Sequence, residues 1–408
     1  MFCTNAFILD FSINGMEAAF MIIFLAWIIY IMSVPTHHPA LNLGLAWTGL
    51  MYTRPDGFIY IFGLAIGYLL FSPVIEKAQS RKRLIITYIK AMAIVTILYL
   101  PWLLWTWHYY GSPIPHTIIA KGLNHWNNLN VFSFADKALT SRFFLGLKSC
   151  YFTFIPLGDF GFLAINYSGP IALACAFYWI LPFARKEGRA VSFALMIAHF
   201  YLSYIASYIA PWYLPSVIFL SIFVLTQILQ QAISLISFTK KIVFSVYIAA
   251  FILLSINLSL TLATSYQLRL QQEIIETGSR KQIGLWLKEH AKSNKDTVFL
   301  EPLGYIGFFS GLKMLDFPGI ASNEVIAARK RLLPEDSMAK IIAEINPDWL
   351  VLRPSEALTI LNQMPEILNR HYREARVFDC SQRIKSLLFI PGRDYLQYDQ
   401  TFTIFQKK

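Results

Sequence analysis

Residues 88–108 read YIKAMAIVTILYLPWLLWTWH, a run in which Lys90 is the one side chain with a formal charge. About 20 mainly apolar residues cross the hydrocarbon layer of a bilayer as a helix, so this stretch has the length and character of a membrane span. Working outward, similar runs occur at 17–34, 39–53, 57–75, 167–184, 190–209, 213–234 and 242–264. The run at 39–53 is short, and only Arg54, Pro55, Asp56 and Gly57 part it from the next, so the pair reads either as two spans or as a re-entrant hairpin. Either way the count stays even, and both termini are expected on the same side.

The whole chain agrees with this class. Of its 408 residues, 56% are hydrophobic and 14% charged, against about 45–50% and about 25% in ordinary soluble domains. Mean hydropathy is +0.49. An ordinary soluble protein and a disordered chain are excluded. The four cysteines, Cys3, Cys150, Cys175 and Cys380, have no paired spacing that would mark a disulfide scaffold.

The net charge of +11 divides into +8 over residues 1–264 and +3 over 265–408. The first share is concentrated in short clusters: Lys77 with Arg81, Lys82 and Arg83; Arg185 with Lys186 and Arg189; and Lys240 with Lys241. Basic residues in short loops stay cytoplasmic, and all three clusters fall on one side of the predicted spans. Nucleic acid is therefore not an expected partner, whereas membrane lipid is. The opposite side receives residues 1–16, which carry no Lys or Arg, and the tail from 265 onward. A chain that starts outside the cytoplasm without a signal peptide's basic start is expected to have either an N-out first helix or a further helix upstream.

The expected fold is thus a polytopic α-helical membrane protein of about eight spans with a C-terminal extracytoplasmic α/β domain. Residues 1–264 form the helical part, with an interfacial loop over 109–166, and 265–408 form the second domain. In the tail, helices are expected through about 292, near 335–345 and over 355–370. Strands are expected at 297–301, 349–353, 376–379 and 386–390. Gly304–Gly311 reads as a glycine-bearing strand and turn, and Asp316 as a turn residue.

Candidate site residues cluster at the predicted outer ends of spans. Glu17 opens the first span, where a carboxylate either complements the helix dipole or meets a polar substrate at the membrane rim. Arg54 either snorkels from a connector or faces a phosphate with its planar fork, while Asp56 orients it or touches a sugar hydroxyl. Tyr110, Trp212 and Tyr213 read as an interfacial aromatic belt or as a platform for a sugar. His116 and Lys121 stand where a lipid-linked phosphate would meet the end of the bilayer. His108, His116 and His125 are too irregularly spaced for a zinc site, so no metal or other cofactor is expected.

In order along the chain, several segments resemble bacterial GT-C glycosyltransferases that use polyprenyl-phosphate sugars, a group including protein O-mannosyltransferases, aminoarabinose transferases and the terminal arabinofuranosyltransferase. Gly15-Met-Glu17, Thr53-Arg-Pro-Asp-Gly57 and Tyr109-Tyr-Gly-Ser-Pro-Ile-Pro-His-Thr117, with Lys121 in register, are similar to motifs of the last branch. So are Trp286-Leu-Lys-Glu-His290, Leu303-Gly-Tyr-Ile-Gly307 and Leu315-Asp316 with Gly319. The resemblance implies an inverting transfer from a polyprenyl-phosphate-linked sugar donor to a cell-envelope acceptor at the bacterial plasma membrane, with the C-terminal domain periplasmic. It offers Arg54 or Lys121 as the cation that holds the phosphate. Family members carry an extra first span and an acidic outer loop that supplies the base. This sequence starts after that loop, so no catalytic residue is transferred, and a truncated or inactive relative is expected. The competing expectations are a non-catalytic membrane scaffold and a lipid or solute transporter, the latter disfavoured because the charges sit at rims and no repeated halves are visible.

Overall fold

The computed structural model describes residues 2–13, 17–71, 81–115, 117–120, 171, 173–202, 211–235, 240–333, 335–387 and 393–408. Every apolar run that falls wholly within them is helical. The chain divides into two compact units, Met1–Pro113 with Asn130–Leu262, and Ile114–Leu129 with Ala263–Lys408. The sequence reading placed all of 109–166 with the helical part. The described residues 117–120 instead go with the second unit, where the buried Arg329 Nη1 donates to the Ala120 carbonyl at 2.7 Å. The remainder of the predicted interfacial loop, from 121 to 166, lies outside the described residues.

The first unit contains α1 (Ala6–Ile13), α2 (Ala18–Ser33), α3 (Pro39–Thr53), α4 (Gly57–Phe71), α5 (Arg81–Tyr110), α6 (Lys186–Phe200), α7 (Leu214–Leu235) and α8 (Lys240–Leu270), with the boundary between the units inside α8. Pro39 begins α3 at a position where its missing N–H costs nothing. The helix ends before Pro55, because the residue preceding a proline avoids the helical region. Arg54 accordingly has φ −153° and ψ 135°. The Gly57 amide then donates to the Arg54 carbonyl at 2.9 Å, closing the Arg54-Pro-Asp-Gly turn. A Cβ on Gly57 would lie 2.8 Å from the Leu50 carbonyl oxygen, so the turn needs glycine for close approach. The two short runs are therefore separate helices joined by this turn.

Among the described residues two helices, Arg81–Tyr110 and Leu214–Ser234, are long and apolar enough to cross a membrane, while Ala18–Ser33 and Gly57–Phe71 are apolar but shorter. Much of the α5 surface is apolar and open, with Ile97 71% and Ile89 64% exposed. An apolar surface of this kind needs a nonaqueous partner. The interior is filled by Leu25, Ile28, Leu43, Leu50, Leu64 and Leu195. Helices α4 and α6 approach most closely along small residues: Gly63 meets Ala194, and Gly67 meets Ala190. Small residues four apart on both partners let helix backbones touch, the packing mode of helices that lack a hydrophobic drive to associate.

The second unit holds α9 (Lys281–His290), β1 (Thr297–Leu300), α10 (Leu303–Ser310), β2 (Lys313–Asp316), α11 (Asn323–Leu332), α12 (Met338–Ile345), β3 (Trp349–Leu352), α13 (Pro354–Gln363), β4 (Tyr372–Asp379), α14 (Ser381–Lys385), α15 (Arg393–Tyr398) and β5 (Thr401–Lys407). The strands form one sheet in the order β2-β1-β3-β5-β4. Strands β2, β1 and β3 are parallel, whereas β5 and β4 are each antiparallel to their neighbours. Strand alternation sends Phe299, Leu350 and Leu352 to one apolar layer, and Val298, Trp349, Val351, Phe402 and Ile404 to the other. Two expectations are corrected. Gly304–Gly311 is not strand and turn but helix α10, ended by Gly311 at φ +67°. Asp316 closes strand β2, where its carboxylate accepts from the Ile320 and Ala321 amides at 2.6 and 2.9 Å. Ser386 is the C-cap of α14, and residues 388–390 of the strand expected over 386–390 lie outside the described residues; the edge of the sheet beside β5 is supplied by β4.

Candidate functional site

Extended backbone at Arg54 swings its side chain out of the α3 axis toward the start of α2. There the guanidinium meets three groups from three parts of the sequence. Nε and Nη2 donate to the two carboxylate oxygens of Asp56, each at 2.9 Å, in a bidentate pair. Nη1 donates to Glu17 Oε1 at 2.9 Å. The same nitrogen reaches the Trp212 carbonyl at 3.5 Å. The Tyr213 ring lies beneath the guanidinium, with Cζ 4.2 Å from its centroid, and Trp212 stands beside that ring at a centroid distance of 6.4 Å.

Five of the residues singled out in the sequence, Glu17, Arg54, Asp56, Trp212 and Tyr213, thus form one constellation. The side chains of Arg54 and Asp56 are each 11% exposed, and that of Glu17 is 32% exposed. A largely buried cation is tolerable only when paired, and Asp56 supplies the geometry that matches its fork. Burial disfavours the Arg54 charge, but attraction to Asp56, with Glu17 adding to it, outweighs that penalty and raises the pKa. With two carboxylates on one guanidinium, the constellation carries a formal charge of −1, and Glu17 is its most exposed charged member.

Tyr110 ends α5 half-exposed, with its ring edge-on to Tyr109 at 4.7 Å. His116 and Lys121 lie outside the described residues. Tyr201, missed in the sequence, comes within electrostatic reach of Asp56, Tyr213 and Arg54. His199, near the end of α6, is buried, its Nδ1 2.8 Å from the Leu195 carbonyl. Among the described residues no group of three or more His, Cys, Asp or Glu is arranged to hold a metal ion.

A second charged cluster occupies the second unit, where the parallel strands β1 and β3 end. Arg353, which follows β3, donates to Asp399 Oδ1 at 2.7 Å, Glu356 Oε1 at 2.8 Å and Glu301 Oε2 at 2.6 Å. Asp399 also accepts from Arg280, which pairs in turn with Glu276. The carboxyl ends of parallel strands are where open α/β sheets bind ligands. Here the charges satisfy one another, and the guanidinium is sandwiched against the rings of Tyr398 and Phe402 at 4.4 and 5.6 Å.

Residues 265–405 match a family described as a domain of unknown function (DUF8728). The comparison with curated proteins returned no match.

Proposed function

We propose that this chain is an integral-membrane glycosyltransferase of the GT-C type. Proteins of this type move a sugar from a polyprenyl-phosphate donor to a cell-envelope acceptor on the outer face of a bacterial plasma membrane, and in this chain the Glu17–Arg54–Asp56 constellation binds the donor. The observation that carries this reading is the half-open Glu17 carboxylate, held by a buried guanidinium beside two aromatic rings at the ends of apolar helices. A positioned carboxylate accepts hydrogen bonds from sugar hydroxyls, and aromatic rings pack against the apolar face of a sugar.

In this reading the helical part crosses the bilayer about eight times and residues 265–408 lie in the periplasm. The opposed ends of the first unit support it. Glu17 and Arg54 sit where α2 begins and α3 ends, whereas α5 and α6 begin in the basic runs Arg81–Arg83 and Arg185–Lys186. Asp56 orients Arg54, and Nη1, whose 3.5 Å contact to Trp212 is the longest of its hydrogen bonds, is the donor that turns to a phosphate oxygen. Tyr110, which ends α5 in the same unit, is assigned to the lipid side of the donor. The constellation is assigned donor binding and not removal of the acceptor proton.

Donor binding by membranes carrying the full chain, followed with a radiolabelled polyprenyl-phosphate sugar, tests the assignment. Glu17→Gln and Arg54→Ala are each expected to weaken binding about tenfold or more, the range for a lost hydrogen bond to a charged group. Wild-type binding by both variants would remove the site from the reading. The close internal pairing of Arg54 favours a second function, a membrane scaffold in which the constellation only staples helices together. A scaffold predicts no saturable donor binding by the wild-type chain.

A further inference from the structure

A cavity of 720 Å³ lies in the first unit between the C-terminal end of α2, the start of α6 and one side of α7. It is at the end of α2 remote from Glu17, since its lining includes Ser33 and Val34. Its volume is within the range of about 300–1,000 Å³ typical of small-ligand sites. The wall is apolar, made by Ile29, Tyr30, Phe219 and Phe223, while the mouth carries Arg185, Lys186 and Glu187. The formal charge of these three groups is +1, and they stand at the N-terminal end of the 15-residue helix α6, whose dipole adds positive potential. Arg185 is not a loose surface cation: its Nη1 donates to Gln230 Oε1 at 2.7 Å, which holds the guanidinium at the mouth.

We propose that this cavity binds one anionic phospholipid, its phosphate against Arg185 and Lys186 and the upper part of its acyl chains along Ile29, Phe219 and Phe223. The two halves of the lining ask for the two halves of an amphiphile. A free phosphate leaves the aromatic wall wet, and a zwitterionic lipid brings its own cation to a mouth that is already positive. Basic pockets between spanning helices on the cytoplasmic side are suited to acidic headgroups, each basic residue contributing a comparable increment of attraction. The inference rests on the membrane residence proposed above but not on sugar transfer.

Full-length chain purified in detergent is loaded with dioleoyl phosphatidylglycerol or dioleoyl phosphatidylcholine, and bound lipid is counted by native mass spectrometry. The wild-type chain retains phosphatidylglycerol in preference to phosphatidylcholine. Arg185→Gln and Lys186→Gln each lower that preference about fivefold. Ala26→Trp, which fills the apolar wall without changing charge, reduces retention of phosphatidylglycerol. Equal retention of the two lipids by the wild-type chain, or a preference that survives the Arg185→Gln/Lys186→Gln pair, overturns the proposal. Competition by glycerol 3-phosphate as strong as that by the whole lipid overturns it in favour of a plain phosphate site. A chain released from membranes by alkaline carbonate defeats membrane residence and this proposal together, whereas a carbonate-resistant chain without lipid preference defeats this proposal alone.

Discussion

Arg353 Nε donates to Asp399 Oδ1 at 2.7 Å, tying the residue after β3 to one just before β5, 46 positions along the chain. The other Asp399 oxygen accepts from Arg280 at 2.7 Å, so this carboxylate bridges two guanidiniums. Burial opposes the Arg353 charge, yet Asp399 and Glu356 overcome it and raise its pKa. Removing one partner of such a buried group leaves the others uncompensated. Arg353→Ala in the full chain is therefore expected to cost the second unit about 3–5 kcal/mol. Hydrogen exchange of the β3 and β5 amides measures this directly. Arg353→Met combined with Asp399→Leu should leave most of the loss in place, because Glu356 still lacks its guanidinium, and a single-variant loss below about 1 kcal/mol would class the network with surface pairs.

Arg54→Lys tests whether the constellation needs a fork or only a positive charge. Asp56 takes Nε and Nη2 in parallel at 2.9 Å each, while Nη1 reaches Glu17. An ammonium keeps the charge but cannot occupy three acceptors in one plane. The expected result is a first unit destabilised by about 1.5–3 kcal/mol, the value of a charged hydrogen bond lost. Thermal melting in mild detergent reads it, and a lysine variant that melts with the wild type would show that the planar geometry is dispensable.

The helices were legible because their signal is one-dimensional: an uninterrupted apolar run, a proline at position 39 to start α3 and a proline at 55 to stop it. Glu17, Arg54 and Asp56 were each visible as charges at the ends of such runs, but their pairing across 37 positions was not. The tail was harder for a physical reason. The edge strand β2 has only four residues and β5 reads as an alternating segment behind a helix, so neither stands out until Leu300 pairs with Asp316 and Val351 with Ile404. The glycines of α10 spoke for a turn, and packing against α9 prevailed: Gly284 of α9 lies so close that its Cβ would come within 2.9 Å of the Ile306 carbonyl oxygen. Arg353 looked like an ordinary charge after a strand, because the four residues of its network come from positions 280 to 399.

Acid should loosen the junction of β4 with α14 through Asp379. The Ser381 amide donates to its Oδ1 at 2.8 Å and, against a small burial penalty, holds the carboxyl below the usual aspartate range. The Ser381 and Thr401 hydroxyls add to this, at 2.9 Å each. A lowered folded-state pKa means that the carboxylate stabilises the fold above the unfolded value, about 3.9, and that this contribution disappears as pH falls through the lower folded value. Carboxyl NMR titration should place Asp379 below the reference. Asp379→Asn should abolish the corresponding acid dependence of Ser381 amide exchange, and a midpoint at or above the reference would contradict the assignment.

Two glycine-to-alanine changes should have opposite signs because the added methyl meets opposite surroundings. At Gly67 a Cβ falls 2.4 Å from the Ala190 carbonyl oxygen, with Ala190 Cα at 3.1 Å, so either α4 or α6 must shift as backbone. Overpacking of this kind costs about 1–3 kcal/mol, and the first unit of Gly67→Ala should melt earlier in detergent. At Gly304, in the first turn of α10, a Cβ meets nothing within 4 Å. There alanine gains helix propensity, worth up to about 1 kcal/mol, and Gly304→Ala should slow hydrogen exchange in α10 of the second unit. A neutral Gly67→Ala would mean that α4 and α6 are not held in backbone contact, and with that the small-residue seam would lose its role in packing the first unit.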